Sequence, residues 1–165
     1  MPTTVVLTED ALTDADVAHI LSLHDERAER YRVLVPSDTD RNVVAAIIDH
    51  LWVGELREAG HDLVGKEPTP DQAKATAAER LEASLAALRG AGAVADGEVT
   101  EEDPLPALSS AVAAEGGPGG VVDVVVVTYP HVVADTFRSD WASRAREHLH
   151  APVLHLYAGT SEIGD

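Results

Sequence analysis

The polar residues able to do chemistry gather behind two apolar runs. Behind Val121-Val122-Asp123-Val124-Val125-Val126-Val127 come Thr128, Tyr129, Pro130 and His131, then Ser139 and Asp140. Behind Tyr31-Arg32-Val33-Leu34-Val35-Pro36 come Ser37, Asp38 and Thr39. Hydroxyls, an acid, an imidazole and an aromatic ring make a set that hydrogen-bonds to and stacks on a small ligand. Tyr129 can stack on a planar group, and His131 can meet an anion when protonated. Asp38, with Ser37 and Thr39, can accept from a ligand or simply shape a turn and cap a helix. Nucleophilic catalysis finds no support, because the chain has no cysteine and no G-x-S-x-G elbow around Ser139. His148, His150 and His155 have no carboxylate or cysteine at ligand spacing beside them, so no metal site is expected. Two of them straddle a helix end, where the dipole favours histidine.

The elements that must position these residues follow from pattern. An unbroken valine run fits a strand covered on both faces, as in a parallel α/β sheet. In such sheets ligands lie beyond the C-terminal ends of the strands, where Pro36–Thr39 and Thr128–His131 fall. Thr4–Leu7 reads as a short strand, followed by a helix capped by Thr13 with Val17, Ile20, Leu21 and His24 on one face. Val43, Val44, Ile47, Ile48 and Leu51 stripe a second helix. Thr69-Pro70-Asp71-Gln72 opens a third, with Ala77, Leu81, Leu85 and Leu88 inside and Gly90 expected to close it. Ala93–Val99 reads as a strand weakened by Asp96 and Gly97. A helix opened by Asp103-Pro104 carries Leu105, Leu108 and Val112 inward. Gly116–Gly120 reads as a flexible connector. A helix running to about Leu149 and a last strand over 151–157 complete the order. The expected fold is a three-layer α/β sandwich: a five-stranded, mostly parallel open sheet with helices on both faces, Rossmann-like.

Composition bounds the rest. At 165 residues the chain is one domain with room for a core and is too short for an eightfold barrel. A formal net charge of −17 argues against nucleic acid and anionic membrane as partners. No run approaches a membrane span, and the N-terminus has no basic n-region, so a soluble cytoplasmic protein is expected. Trp52 and Trp141 read as core or interface anchors. Arg138, Arg144 and Arg146 make the last helix the most basic region, suited to pairing with the abundant acids.

Taken in order, these stretches resemble the universal stress protein family. Tyr31–Asp38 is like the family's first strand and acidic turn. Gly97-Glu98-Val99, Asp103-Pro104 and Ala107-Leu108 are like its passage into the third helix. Val122–Val127, Ser143–Leu149 and Ala151-Pro152-Val153-Leu154 are like its closing strand-helix-strand. The resemblance spans about residues 31–158 and makes residues 1–30 an extra strand-helix extension. Nothing in 51–69 reads as the strand the family places there, so Thr4–Leu7 is expected to take that place beside Val33–Val35.

The resemblance implies a non-catalytic stress-response or regulatory protein and a homodimer through the last strand, residues 152–158. It also implies a test for ATP. Nucleotide-binding members carry G-x2-G-x9-G-[ST] after the fourth strand. Here Thr128 and His131 stand at the first two glycines, Ser139 falls near the third, and Asp140 replaces the phosphate-holding hydroxyl. A carboxylate there repels a triphosphate, so ATP in the usual pose is not expected and no cofactor is assigned. Two alternatives stay open: an AMP, ATP or nucleoside binder with a divergent loop, and a small metabolic enzyme on the same fold using Asp38 and His131. The ligand candidates are Pro36, Ser37, Asp38, Thr39, Thr128, Tyr129, His131 and Ser139.

Overall fold

In a computed structural model of the chain, the residues described are 2–24, 30–37, 70–101, 103–128, 136–158 and 163–164. They form β1 (Thr3–Thr8), α1 (Asp14–Leu23), β2 (Arg30–Pro36), α2 (Pro70–Gly90), β3 (Val94–Thr100) and α3 (Leu105–Ala114). The chain goes on through β4 (Val121–Thr128), α4 (Thr136–Leu149), β5 (Val153–Tyr157) and a two-residue β6 (Ile163–Gly164). The sheet runs β3-β2-β1-β4-β5-β6. Its first five strands are mutually parallel, and only β6 is antiparallel. The expected α/β sheet is the one observed.

Alternation along the buried strands divides the core into two layers. Val5, Leu7, Leu34, Val124, Val126 and Val153 point to one face, where α3 supplies Leu108 and Val112 and α4 supplies Trp141, Ala142, Ala145 and Leu149. Val6, Val33, Val35, Val125, Val127 and Leu156 point to the other, under Val17 and Ile20 of α1 and Ala77, Leu81, Leu85 and Leu88 of α2. β4 is thus covered on both faces, which is why a continuous valine run suits it.

Local signals set the helix ends. Thr13 accepts from the Asp16 amide at 3.2 Å while the Asp16 carboxylate accepts from the Thr13 amide at 2.9 Å, a reciprocal capping box. At the other end of α2 the stop comes two residues later than expected. Gly90 is still helical, and Gly92, at φ +89°, takes the left-handed position while the Ala93 amide reaches back to the Leu88 carbonyl at 3.0 Å. The glycine-rich connector after α3 is a set of tight turns, with the Gly117 amide on the Val112 carbonyl and the Gly120 amide on the Gly117 carbonyl.

Two expectations change. Thr3–Thr8 does lie beside β2, in the register Val6↔Val33 and Leu7↔Leu34. It also pairs with β4 on its other side, Leu7↔Val126 and Thr8↔Val127, so it is the middle of the sheet. Residues 1–30 supply the central strand of the fold, and a core confined to 31–158 would lack it. The second change concerns the dimer edge. β5 is not an open edge, because His155 and Leu156 face Gly164 and Ile163 of β6. A dimer through 152–158 therefore has to form around β6 or in its place. The helix over 43–51 and the segment 51–69 lie outside the described residues.

The opposite edge, β3, is protected by charge. Arg30 Nε donates to Asp96 at 2.8 Å, Arg32 Nη1 donates to Asp96 at 2.6 Å, and Arg32 Nη2 donates to Glu98 at 3.1 Å. Burial pushes the Asp96 carboxyl up, but the bonds from Arg32 and Arg30 outweigh it and hold the group below its ordinary value. The bond to Asp96 holds the Arg32 guanidinium above its own. Among the described residues, no helix is long and apolar enough to cross a membrane.

Candidate functional site

In a sheet ordered β3-β2-β1-β4-β5 the chain leaves β1 toward one edge and later returns to β4 on β1's other side. That reversal makes the C-terminal ends of β1 and β4 the switch point, the position where α/β sheets take ligands. The wall on the β4 side is Thr128, 3% exposed. Its hydroxyl shares a 2.7 Å hydrogen bond with His155 Nε2, and its carbonyl accepts from the Ala158 amide at 2.8 Å. His155 is itself buried, with its ring against Tyr157 at a 5.0 Å centroid distance. The Thr128 hydroxyl is therefore turned to β5.

Pro36 and Ser37 end β2, one strand further away. Pro36 faces Thr100 in the ladder, and the Ser37 amide donates to the Thr100 carbonyl at 3.0 Å. Ser37 is buried. Two strand spacings, roughly 10 Å, separate this end of β2 from Thr128, because β1 lies between them. Of the other sequence candidates, Ser139 lies in the first turn of α4. Asp38, Thr39, Tyr129 and His131 lie outside the described residues.

The residues that do occupy the switch point are Thr8, Glu9 and Asp10, which sequence reading did not single out. Glu9 is 5% exposed and its amide donates to the Val127 carbonyl at 3.3 Å, tying the end of β1 to β4. The Thr8 hydroxyl donates to the Asp10 carbonyl at 2.7 Å. The Asp10 carboxylate accepts from the Ala11 amide at 2.7 Å and lies 3.3 Å from Arg80 Nε. Arg80 Nη1 also reaches the Glu9 carbonyl at 3.5 Å. One helical turn on, Ser84 accepts from the Leu12 amide at 3.0 Å. Loop 8–12 is thus stitched to α2, and Arg80 is engaged by Asp10. The signal that could have found it was present: a polar Thr-Glu-Asp directly behind an apolar strand, the same pattern used to single out Ser37 and Asp38.

Histidines divide by position. His155 is held inside by Thr128, whereas His148 and His150 are exposed at the end of α4, His150 at φ 53°. Among the described residues no three His, Cys, Asp or Glu side chains converge as a metal set. Arg144 pairs with Asp103 at 3.4 Å. Trp141 is core, at 3% exposure.

Among solved structures, the chain is similar to a universal stress protein family protein from Arabidopsis thaliana with AMP bound. Identity is 12% over 98% of this chain and 95% of that one, with a TM-score of 0.48. It is also similar to a hypothetical protein at 13% identity over 95% of this chain and 97% of that one, with a TM-score of 0.42. At these identities neither neighbour carries a residue's role over to this chain. No protein-family model matches the chain, and no curated protein matches it.

Proposed function

We propose that the chain is a non-catalytic regulatory binding protein of the universal stress protein type, and that it does not take ATP in that family's usual pose. The observation that carries this is the buried Thr128 that closes β4, its hydroxyl bonded to His155, where ATP-binding members of that family have the first glycine of their phosphate loop. A side chain at that place, in the stead of a glycine, keeps the backbone from closing on phosphate oxygens. Glu9, buried beside it at the end of the central strand, is of the acceptor type that suits the hydroxyls or exocyclic amine of a neutral nucleoside. Arg80, the cation beside this loop among the described residues, is already held by Asp10 and by the Glu9 carbonyl. In the sequence, Asp140 stands where the family's phosphate grip has a hydroxyl, as the resemblance aligns it.

Thermal-shift measurements with millimolar adenosine, AMP and ATP–Mg²⁺ test this reading. A ligand at about 100 times its Kd adds about 2.7 kcal/mol, which for a chain of this size raises Tm by about 5–10 °C. Adenosine is expected to raise Tm, AMP less so, and ATP–Mg²⁺ not at all, with no ATP turnover. A shift with ATP–Mg²⁺ as large as that with adenosine overturns the proposal, as does turnover. No shift with any of the three removes adenine ligands from it.

A further inference from the structure

The opposite end of the sheet holds a buried ionisable pair that the switch point does not use. His24 closes α1 as its C-cap and is 3% exposed. Its Nδ1 lies 2.6 Å from the Ile20 carbonyl oxygen. Its Nε2 lies 2.7 and 2.9 Å from the two carboxylate oxygens of Asp123, on β4. Asp123, 7% exposed, also accepts from the Thr4 hydroxyl of β1 at 2.9 Å. Tyr31 of β2 packs its ring edge-on to the imidazole at 6.0 Å. Facing His24 are therefore the Ile20 carbonyl on its own helix, the Asp123 carboxylate from β4 and the Tyr31 ring from β2, with Thr4 of β1 behind Asp123.

The donor count decides the protonation. A carbonyl oxygen only accepts, so Nδ1 must carry a proton and donate it. Nε2 then faces a carboxylate, and that contact is a hydrogen bond only if a proton lies between them. With a proton on each ring nitrogen, folded His24 carries one proton more than a neutral histidine. Removing that proton sets a nitrogen lone pair against oxygen lone pairs in a site closed to water, which is costly.

We infer that His24 and Asp123 form a buried proton latch that fastens the C-terminal end of α1 to β1 and β4 and loosens as pH rises above neutrality. The sign follows from proton counting. An unfolded histidine gives up its proton near pH 6.5, while the folded pair keeps one, so above about pH 6.5 the unfolded chain binds fewer protons. Stability then falls with rising pH, by up to about tenfold in the folding constant per pH unit, until the folded pair also deprotonates.

Asp123→Asn separates the latch from a merely structural contact. An asparagine amide donates to an unprotonated Nε2 while its oxygen accepts from Thr4, so the same contacts form with a neutral ring. Urea midpoints of the wild type are expected to fall between about pH 6.5 and 9, and those of Asp123→Asn to stay level relative to it, the other seven histidines being common to both. In the wild type, nitrogen-15 spectra of the His24 ring should show both ring nitrogens protonated at pH 7, and exchange of the α1 C-terminal amides, corrected for intrinsic rate, should quicken as that signature is lost. Parallel midpoint profiles for wild type and Asp123→Asn overturn the inference. So does a singly protonated His24 ring at pH 7, a readout that needs no variant to fold.

Discussion

Asp123→Ala is expected to lower the unfolding free energy by about 3–5 kcal/mol at neutral pH, one of the largest losses available outside the apolar core. The carboxylate is shared by three elements: it meets His24 from α1, accepts from Thr4 of β1, and belongs to β4. Truncation leaves a buried imidazole and a buried hydroxyl without their acceptor, and the desolvation cost already incurred by His24 is no longer offset. Conservative replacement by asparagine restores partners to both and should cost far less. Urea denaturation read from tryptophan fluorescence measures the difference, because Trp141 sits in the core layer on the far side of β4 from His24. A loss below about 1 kcal/mol would mean that water reaches the pair, and the burial of both side chains would have to be reconsidered.

Gly97→Ala carries the second large expected effect, about 3 kcal/mol or more, for a different reason. A Cβ at this position would stand 2.2 Å from the Val33 carbonyl oxygen and 2.8 Å from Leu81 Cδ1. The first contact is backbone, so no rotamer change relieves it. β3 must move from β2 or the β2–β3 ladder must tilt, which places the cost at or above the top of the overpacking range. The internal control is Gly90→Ala, where nothing lies within 4 Å and the residue is helical. That change should be neutral or stabilising by about 0.5 kcal/mol. Equal midpoints for the two variants would contradict the close approach of the Val33 carbonyl of β2 to Gly97 of β3.

Gly97 also shows what a sequence can and cannot tell. From the chain alone it weakens a strand, because glycine lacks a packing side chain. In the fold it leaves room for the Val33 carbonyl of β2 and the Leu81 side chain of α2. Val121–Val127, the Thr13–Asp16 box and the apolar stripes at 77–88 and 105–112 were legible because each is set by neighbours within a few residues. The centrality of β1 was not, since strand order is a property of the whole sheet and Thr3–Thr8 has nothing local to distinguish a middle strand from an added one. That misplacement hid Glu9 and Asp10, whose pattern was plain, and moved the expected crevice one strand over to Ser37. β6 escaped because two residues have no periodicity to read. The His24–Asp123 contact joins positions 99 apart; burial of His24 on the α1 face could be read, its partner could not.

The proposed binding reading rests on the β1–β4 switch point, and an amide-resolved titration tests it most directly. Nitrogen-15 spectra of the full chain, titrated with adenosine and separately with ATP–Mg²⁺, report where each ligand lies. Adenosine should move the amides of Thr8, Glu9, Asp10 and Thr128, with smaller changes at Ser37, and ATP–Mg²⁺ at the same concentration should leave them in place. Saturable movement of those amides by ATP–Mg²⁺, or adenosine shifts confined to some other part of the sheet, would contradict the account.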